Sequence, residues 1–150
     1  MNTSQESPLE TNKRNFGNML DVRIILSGLW VGRVLSGLQG DSTRLHDSVA
    51  LNELVSGTTE IPVTDTMLLV MSMIVSIPIV MSFLSLVLKE KVNRRANLSA
   101  GIFFVAWEVI FLIFVYSQDA AYEVFWGFLY LIFVVLIVWY AWKWPKQEDK

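Results

Sequence analysis

Glu108 lies at the centre of an otherwise apolar segment, Leu98 to Tyr116, that is long enough to cross a bilayer. A charged side chain in the middle of a membrane costs about 2.5–3.5 kcal/mol on insertion scales, so it needs an ion partner, a proton or a water-lined cavity. An unpaired carboxyl group at that depth could carry protons, as a proton-coupled exporter requires. Glu108 is therefore the residue whose type and position best suit chemistry.

Arg33 is the basic residue best placed to pair with Glu108. At 1.5 Å per residue, each lies about 10–12 Å below the same face of a membrane. The two side chains would form either a buried ion pair that fixes the register of two helices, or a substrate or proton site. In a third alternative, the Arg33 side chain reaches the lipid headgroups by itself and Glu108 is protonated.

Further acidic residues fall in the connections between apolar segments, namely Asp41, Asp119 and Glu123. They are candidates for the outer mouth of a helix bundle, with Arg44 and His46 nearby in the sequence. The sequence has no Ser–His–Asp, HExxH or phosphate-loop pattern. We therefore expect solvated loop charges, with no catalytic residue and no metal site.

The cysteine and histidine counts exclude several kinds of site. The chain has no cysteine, which excludes disulfides, thiol redox chemistry and thiolate metal centres. Its one histidine cannot supply the paired imidazoles of a membrane haem or zinc site. We expect no cofactor, and enzymatic activity is not indicated.

The composition is that of a membrane protein. Among 150 residues, 53% are hydrophobic, and the charges are concentrated in short segments between continuous apolar runs. The net charge of −2 gives no reason to expect a nucleic-acid partner. Membrane lipids are the expected surroundings.

Four segments are candidates for membrane-spanning helices, because about 20 apolar residues cross a hydrocarbon core of about 30 Å. They comprise residues 20–40, 67–88, 98–116 and 124–142. The first is the weakest, since it contains Asp21, Arg23 and Arg33. The sequence therefore predicts an all-α, polytopic membrane protein built as a bundle of four transmembrane helices.

Basic residues predict the orientation of this bundle. They cluster before the first segment, between the second and third, and after the fourth, at Lys13, Arg14, Lys89, Lys91, Arg94, Arg95, Lys143, Lys146 and Lys150. Cytoplasmic loops carry an excess of such residues. Both termini and the turn at residues 89–95 are therefore predicted to be cytoplasmic, in a plasma membrane.

The segments outside the four spans have simpler predictions. Residues 1–15 are polar and lack the features of a signal peptide, so we expect a disordered cytoplasmic tail, as for residues 146–150. The domain between these tails is residues 16–145. Between Asp47 and Gly57, apolar residues recur at helical spacing before a glycine stop, which predicts a short amphipathic helix that lies on the outer surface or caps the bundle.

A stripe of small residues runs along the first span at a four-residue step, through Gly28, Gly32 and Ser36 to Gly40. Small residues allow two helix backbones to approach closely in lipid. Packing within the bundle is the favoured interpretation, and homodimerisation is the alternative. In the second span, Pro78 predicts a kink, with a gating hinge as the less favoured role.

Several short motifs, in a particular order, resemble a family of small four-helix bacterial membrane proteins of unknown function. They are Leu29-Trp30 followed by Asp41, Ile77-Pro78, Asn93-Arg-Arg-Ala-Asn97 with Gly101, and Ile137-Val-Trp-Tyr-Ala-Trp142. The resemblance extends from about Leu20 to Pro145. Ser76 stands where a glutamate before Ile-Pro would be typical of the family. The resemblance implies a fold and a bacterial inner membrane, and no activity.

Two classes of function remain open at this point. The favoured one is a non-catalytic membrane module that binds lipid, a small molecule or a partner protein. The alternative is a small proton-coupled transporter or exporter that uses Glu108.

Overall fold

The computed structural model describes residues 8–59, 63–117 and 120–144. Over these ranges the chain is all-α, as predicted. It forms five helices, α1 (Pro8–Arg44), α2 (Ser48–Ser56), α3 (Asp65–Val87), α4 (Glu90–Tyr116) and α5 (Ala121–Trp142). Three of them, α3, α4 and α5, are long and apolar enough to cross a membrane.

Helix α1 begins earlier than the sequence analysis expected. Its first residue is Pro8, whereas the sequence analysis expected a disordered tail over residues 1–15. Proline suits the first position of a helix, because its φ is already helical and its missing N–H would have no partner there. Residues 1–7 and 146–150 lie outside the described residues.

Short-range signals set the ends of α2 and the start of α3. The Asp47 side chain accepts a hydrogen bond from the backbone N–H of Val49 at 2.9 Å, which caps α2. Gly57 ends the helix with a φ of 69°, a left-handed conformation that glycine adopts without strain. Thr64 caps α3 through a hydrogen bond from the Met67 N–H at 3.2 Å. The short helix predicted between Asp47 and Gly57 is confirmed.

The four long helices form an incomplete ring. Helix α1 packs against both α3 and α5, and α4 packs against α5, whereas α3 and α4 touch sparingly. The order around the ring is thus α3, α1, α5, α4, with α1 diagonally opposite α4. We call the end that carries α2 the α2 end, and the end that carries the short α3–α4 connection the turn end. The main core lies toward the turn end and consists of Leu26, Trp30, Met81, Phe104, Val134, Ile137, Ala141 and Trp144.

The small-residue stripe of α1 packs against α5. A Cβ atom at Gly32 would lie 2.6 Å from the ring of Phe133, and one at Gly40 would collide with the hydroxyl group of Tyr130. Ser36 is buried between them along the stripe. Gly28 does not belong to this contact, because a Cβ atom there would meet open space. Gly28 is exposed on this helix, so the close approach to α5 does not extend to it.

A buried polar network joins α1, α3 and α4 near the turn end. The indole N–H of Trp30 donates to Asn97 Oδ1 at 2.7 Å, and the Ser85 hydroxyl lies 3.1 Å from the same oxygen. The Asn97 amide donates in turn to Asn93 Oδ1 at 2.7 Å, and the Asn93 amide to the Ser85 carbonyl at 2.7 Å. Ser85, Asn93 and Asn97 are fully buried. Because buried amides need their partners, this network fixes the relative positions of the three helices at this end.

The basic turn end also holds the end of α5. Arg94 Nε donates to the Ala141 carbonyl at 3.2 Å, and Arg94 Nη2 to the Trp142 carbonyl at 3.4 Å. The last carbonyls of a helix have no partner within the helix, and a cation there also suits the helix dipole. Arg94 thus ties the start of α4 to the end of α5.

Candidate ligand cavity

The charges identified in the sequence meet across the diagonal of the ring. Arg33 projects from α1 and Glu108 from α4, two helices that are not neighbours in the ring. Arg33 Nε donates to Glu108 Oε1 at 3.0 Å, and Nη2 donates to the same oxygen. The Glu108 side chain is 1% exposed and that of Arg33 is 14% exposed. The two residues therefore form a buried ion pair, as their similar depth predicts.

The ion pair uses one of the two carboxylate oxygens. Both donor atoms of Arg33 bind Oε1, and Oε2 of Glu108 accepts no hydrogen bond from the described part of the chain. The Glu108 side chain is 1% exposed, so Oε2 is almost fully enclosed.

An aromatic ring of α5 holds Arg33 in place. The guanidinium carbon of Arg33 lies 4.3 Å from the centre of the Tyr130 ring, the geometry of a cation–π contact. Tyr130 can reach this position because its hydroxyl group rests against Gly40, where a side chain would collide with it. The small-residue stripe therefore brings α5 close enough to support the charged pair.

A cavity of about 590 Å³ opens beside the ion pair, in the half of the bundle toward the α2 end. It lies between α3 and α4, where the ring of helices is incomplete, with α1 and α5 behind it. Its wall is mainly aliphatic and aromatic. The lining includes Met71, Ile74, Pro78, Trp107, Phe111, Trp126 and Tyr130. Ligand pockets for small molecules have volumes of about 300–1,000 Å³ and similar linings.

Charged residues line the mouth of the cavity. Asp41, Arg44 and Glu123 all border it, so the structure brings two of the three predicted mouth residues together. Arg44 Nε lies 3.5 Å from Glu123 Oε1, with the Arg44 side chain exposed and that of Glu123 largely buried. The third predicted residue, Asp119, lies outside the described residues.

Helix α2 is attached beside this mouth by Tyr122. The Tyr122 hydroxyl donates to Asp47 Oδ2 at 3.0 Å and lies 3.3 Å from Glu123 Oε1. The backbone N–H of Val49 and the Tyr122 hydroxyl lower the pKa of the Asp47 carboxyl group, since both stabilise its charged form. One aspartate thus caps α2 and anchors it to the first turn of α5.

Pro78 combines a gap in the α3 backbone with a position on the cavity wall. Proline has no N–H, so the Ile74 carbonyl loses its helical hydrogen bond. The nearby Ser76 hydroxyl donates to a different carbonyl, that of Ser72, at 2.7 Å. Ile74 and Pro78 both line the cavity, which places the weakest point of the α3 backbone beside the site.

The cavity combines an apolar wall with charged groups on α1, α4 and α5. The described residues contain no cluster of three or more metal-ligating side chains. The histidine, His46, is exposed and bonds locally to the Ser42 carbonyl at 2.7 Å. An apolar pocket with charged groups in its lining can hold an amphiphilic molecule and orient its polar group.

The sequence analysis missed the roles of Tyr130 and of the polar network. Tyr130 lies in an uninterrupted apolar run, where nothing marks it as the support of a charge on another helix. The network left a weak signal in the four-residue spacing of Asn93 and Asn97, which places two amides on one face of α4. The motif containing them contributed to the family resemblance without an assigned structural role.

Comparison with known proteins agrees with that resemblance. The model of a family of unknown function, DUF6326, matches residues 16–150. No curated protein and no solved structure shows a match to the chain. The family match covers nearly the whole bundle, including every described residue of the cavity and of the polar network. The chain is a member of the DUF6326 family.

Proposed function

We propose that the protein is an integral membrane protein that binds a small amphiphilic molecule in the cavity beside Arg33 and Glu108. The observation that carries this proposal is the cavity itself, which has a volume of about 590 Å³ and is lined by both members of the ion pair. Protein interiors are close-packed, so an empty space of this size beside a charge pair is unusual. An open space at this position suits a ligand.

The proposed topology has four spans, α1, α3, α4 and α5. Helix α1 is less apolar than the other three, but it contributes Leu26 and Trp30 to the core and packs between α3 and α5. Its charge at Arg33 is paired with Glu108 inside the bundle, which lowers the cost of placing either residue in a membrane. Exposed apolar side chains such as Leu69 and Ile113, 61% and 69% exposed, suit contact with lipid.

The proposed orientation places the turn end in the cytoplasm and the α2 end outside, in a bacterial inner membrane. Lys89, Arg94 and Arg95 lie at the turn end, and such basic residues favour the cytoplasmic side. The absence of cysteine makes this easy to test with single cysteines placed at Glu53 in α2 and Glu90 at the turn end. In intact cells, a membrane-impermeant maleimide should label the first and spare the second. The reverse pattern would invert the topology.

Proton-coupled transport is a second candidate function, and one observation favours it. Pro78 interrupts the α3 backbone at the cavity wall, and α3 touches α4 sparingly. Movement of α3 about this point would open or close the cavity without disturbing the polar network at the turn end. A binding module predicts ligand retention without flux, whereas a transporter in proteoliposomes would move its ligand in response to a pH gradient.

The test of binding uses a variant that narrows the cavity. Met71 lines it, so Met71→Trp should place a bulky indole ring in the wall, whereas Met73→Trp adds the same group on an exposed face of the same helix. The purified proteins would be incubated with lipid extract, and the retained molecules identified by mass spectrometry. We expect a bound species in the wild type and in Met73→Trp that Met71→Trp lacks. Equal retention by all three proteins would refute a ligand in this cavity.

A further inference from the structure

We propose that the ligand of this cavity is a lipophilic organic cation, an inference that rests on the binding function proposed above. The argument starts from the charges of the lining. Three carboxylates, those of Asp41, Glu108 and Glu123, and two guanidinium groups, those of Arg33 and Arg44, border the cavity. The lining therefore has one net negative charge, which a monovalent cation would balance.

The distribution of the hydrogen bonds points the same way. Arg33 directs Nε and Nη2 at Glu108 and stacks on Tyr130, so much of its capacity to attract an anion is already used. The Glu108 carboxylate in return offsets the charge of Arg33 inside the bundle. At the rim, Arg44 lies beside Glu123, which offsets its charge. Each guanidinium group of the lining is thus offset by a carboxylate beside it, which leaves the charge of Asp41 as the excess.

Aromatic rings supply the remaining part of the recognition. Trp107, Phe111, Trp126 and Tyr130 line the same cavity, and the faces of such rings attract cations. Trp126 and Tyr130 are stacked, with ring centres 6.4 Å apart and planes 22° from parallel. Aromatic rings around a carboxylate form a site for a large cation with delocalised or alkyl-shielded charge, because such a cation is weakly hydrated and loses little on leaving water.

Two probe ions with the same shape and opposite charge test the inference. Tetraphenylphosphonium is a lipophilic cation, and tetraphenylborate is its anionic counterpart. Binding to the full-length protein in nanodiscs would be measured by equilibrium dialysis, with empty nanodiscs subtracted. We expect saturable binding of the phosphonium that is at least about tenfold tighter than that of the borate, a difference of about 1.4 kcal/mol. Equal or tighter binding of the borate would overturn the cation inference.

Charge variants sharpen the test. Asp41→Asn removes a rim charge at an exposed position and should weaken phosphonium binding by up to about fivefold, as one partly screened charge does. The control Glu53→Gln removes an exposed carboxylate on α2, away from the cavity, and should change nothing. Glu108→Gln leaves Arg33 without a counter-charge and should reverse the preference toward the borate. If Asp41→Asn and Glu108→Gln both keep the wild-type preference for the phosphonium, the inference is overturned. If Glu108→Gln folds poorly, Asp41→Asn gives the result by itself.

The outcomes also separate this inference from the proposed function. Saturable binding of either ion that Met71→Trp abolishes supports a ligand in the cavity, and the preferred ion then decides its charge. Binding of the borate alone would keep the binding function and refute the cation. Failure of both ions to bind would refute the cation as ligand, whereas the proposed function is refuted by equal lipid-extract retention in wild type and Met71→Trp.

Discussion

The ion pair between Arg33 and Glu108 predicts a strong thermodynamic coupling between the two positions. Replacing either residue by methionine keeps an unbranched side chain and removes its charge. Glu108→Met leaves a guanidinium group that is 14% exposed, and Arg33→Met leaves a carboxylate that is 1% exposed. Removing one partner of a buried pair costs about 3–5 kcal/mol. We expect a loss near the lower limit for Glu108→Met, because Arg33 keeps its contact with Tyr130 and some access to the cavity.

The double variant should be far more stable than the two single losses imply. With both charges removed, no ion stays buried without a counter-charge, and apolar replacement of a whole pair is often neutral or stabilising. We expect a coupling free energy of about 2–4 kcal/mol, larger than the hydrogen bonds measured between helices in lipid, which average about 0.6 kcal/mol. Reversible unfolding in mixed micelles would give the free energy of unfolding of the wild type, the two single variants and the double variant. If the single losses add to within about 0.5 kcal/mol of the double loss, the pair does not act as described.

Three further predictions concern the supports of the site. Gly40→Ala places a methyl group against the Tyr130 hydroxyl and should lower the free energy of unfolding by about 1–3 kcal/mol. In the control Gly28→Ala, the methyl group enters open space and should be neutral or slightly stabilising. Asn97→Leu leaves the indole N–H of α1 without an acceptor and should cost about 1–3 kcal/mol, measured by the same unfolding assay. The pKa of Asp47 is lowered in the folded protein, so the stabilisation it gives α2 should be complete above its unfolded pKa and lost as pH falls through the folded value. The release of α2 can be followed by tyrosine fluorescence or NMR during a pH titration. Release near neutral pH would contradict this prediction.

The helices could be predicted from the sequence because continuous apolar runs and flanking basic residues are strong signals in a chain of this kind. The predicted segment 124–142 lies within α5, whose bounds are 121–142. The start of α1 could not be found this way, because polar residues continue a helix outside the hydrophobic stretch with little change in composition. Length and hydrophobicity locate the part of a helix that meets lipid, and the helix itself can extend further.

The candidate site was predictable only in part. Depth placed Arg33 opposite Glu108, since a charge in an apolar segment restricts the positions of its partner. The cavity beside them depends on the weak contact between α3 and α4, which are consecutive in the chain and joined by a short connection. Sequence reasoning favours contact between such neighbours. The insertion of α1 between α3 and α5 leaves the gap between α3 and α4. No local sequence pattern predicts this arrangement.

The order of helices around the ring has a consequence for synthesis of the protein. Arg33 and Glu108 are separated by 75 positions in the chain, so Arg33 emerges from the ribosome long before its partner. At about 5–20 residues per second, that delay is on the order of 4–15 seconds. During this delay α1, the proposed first membrane helix, would hold a guanidinium group without a counter-charge. Helix α5, against which α1 packs, would appear later still. The nascent first helix would therefore stay near the lipid headgroups or the insertion machinery until the last two helices arrive to enclose it.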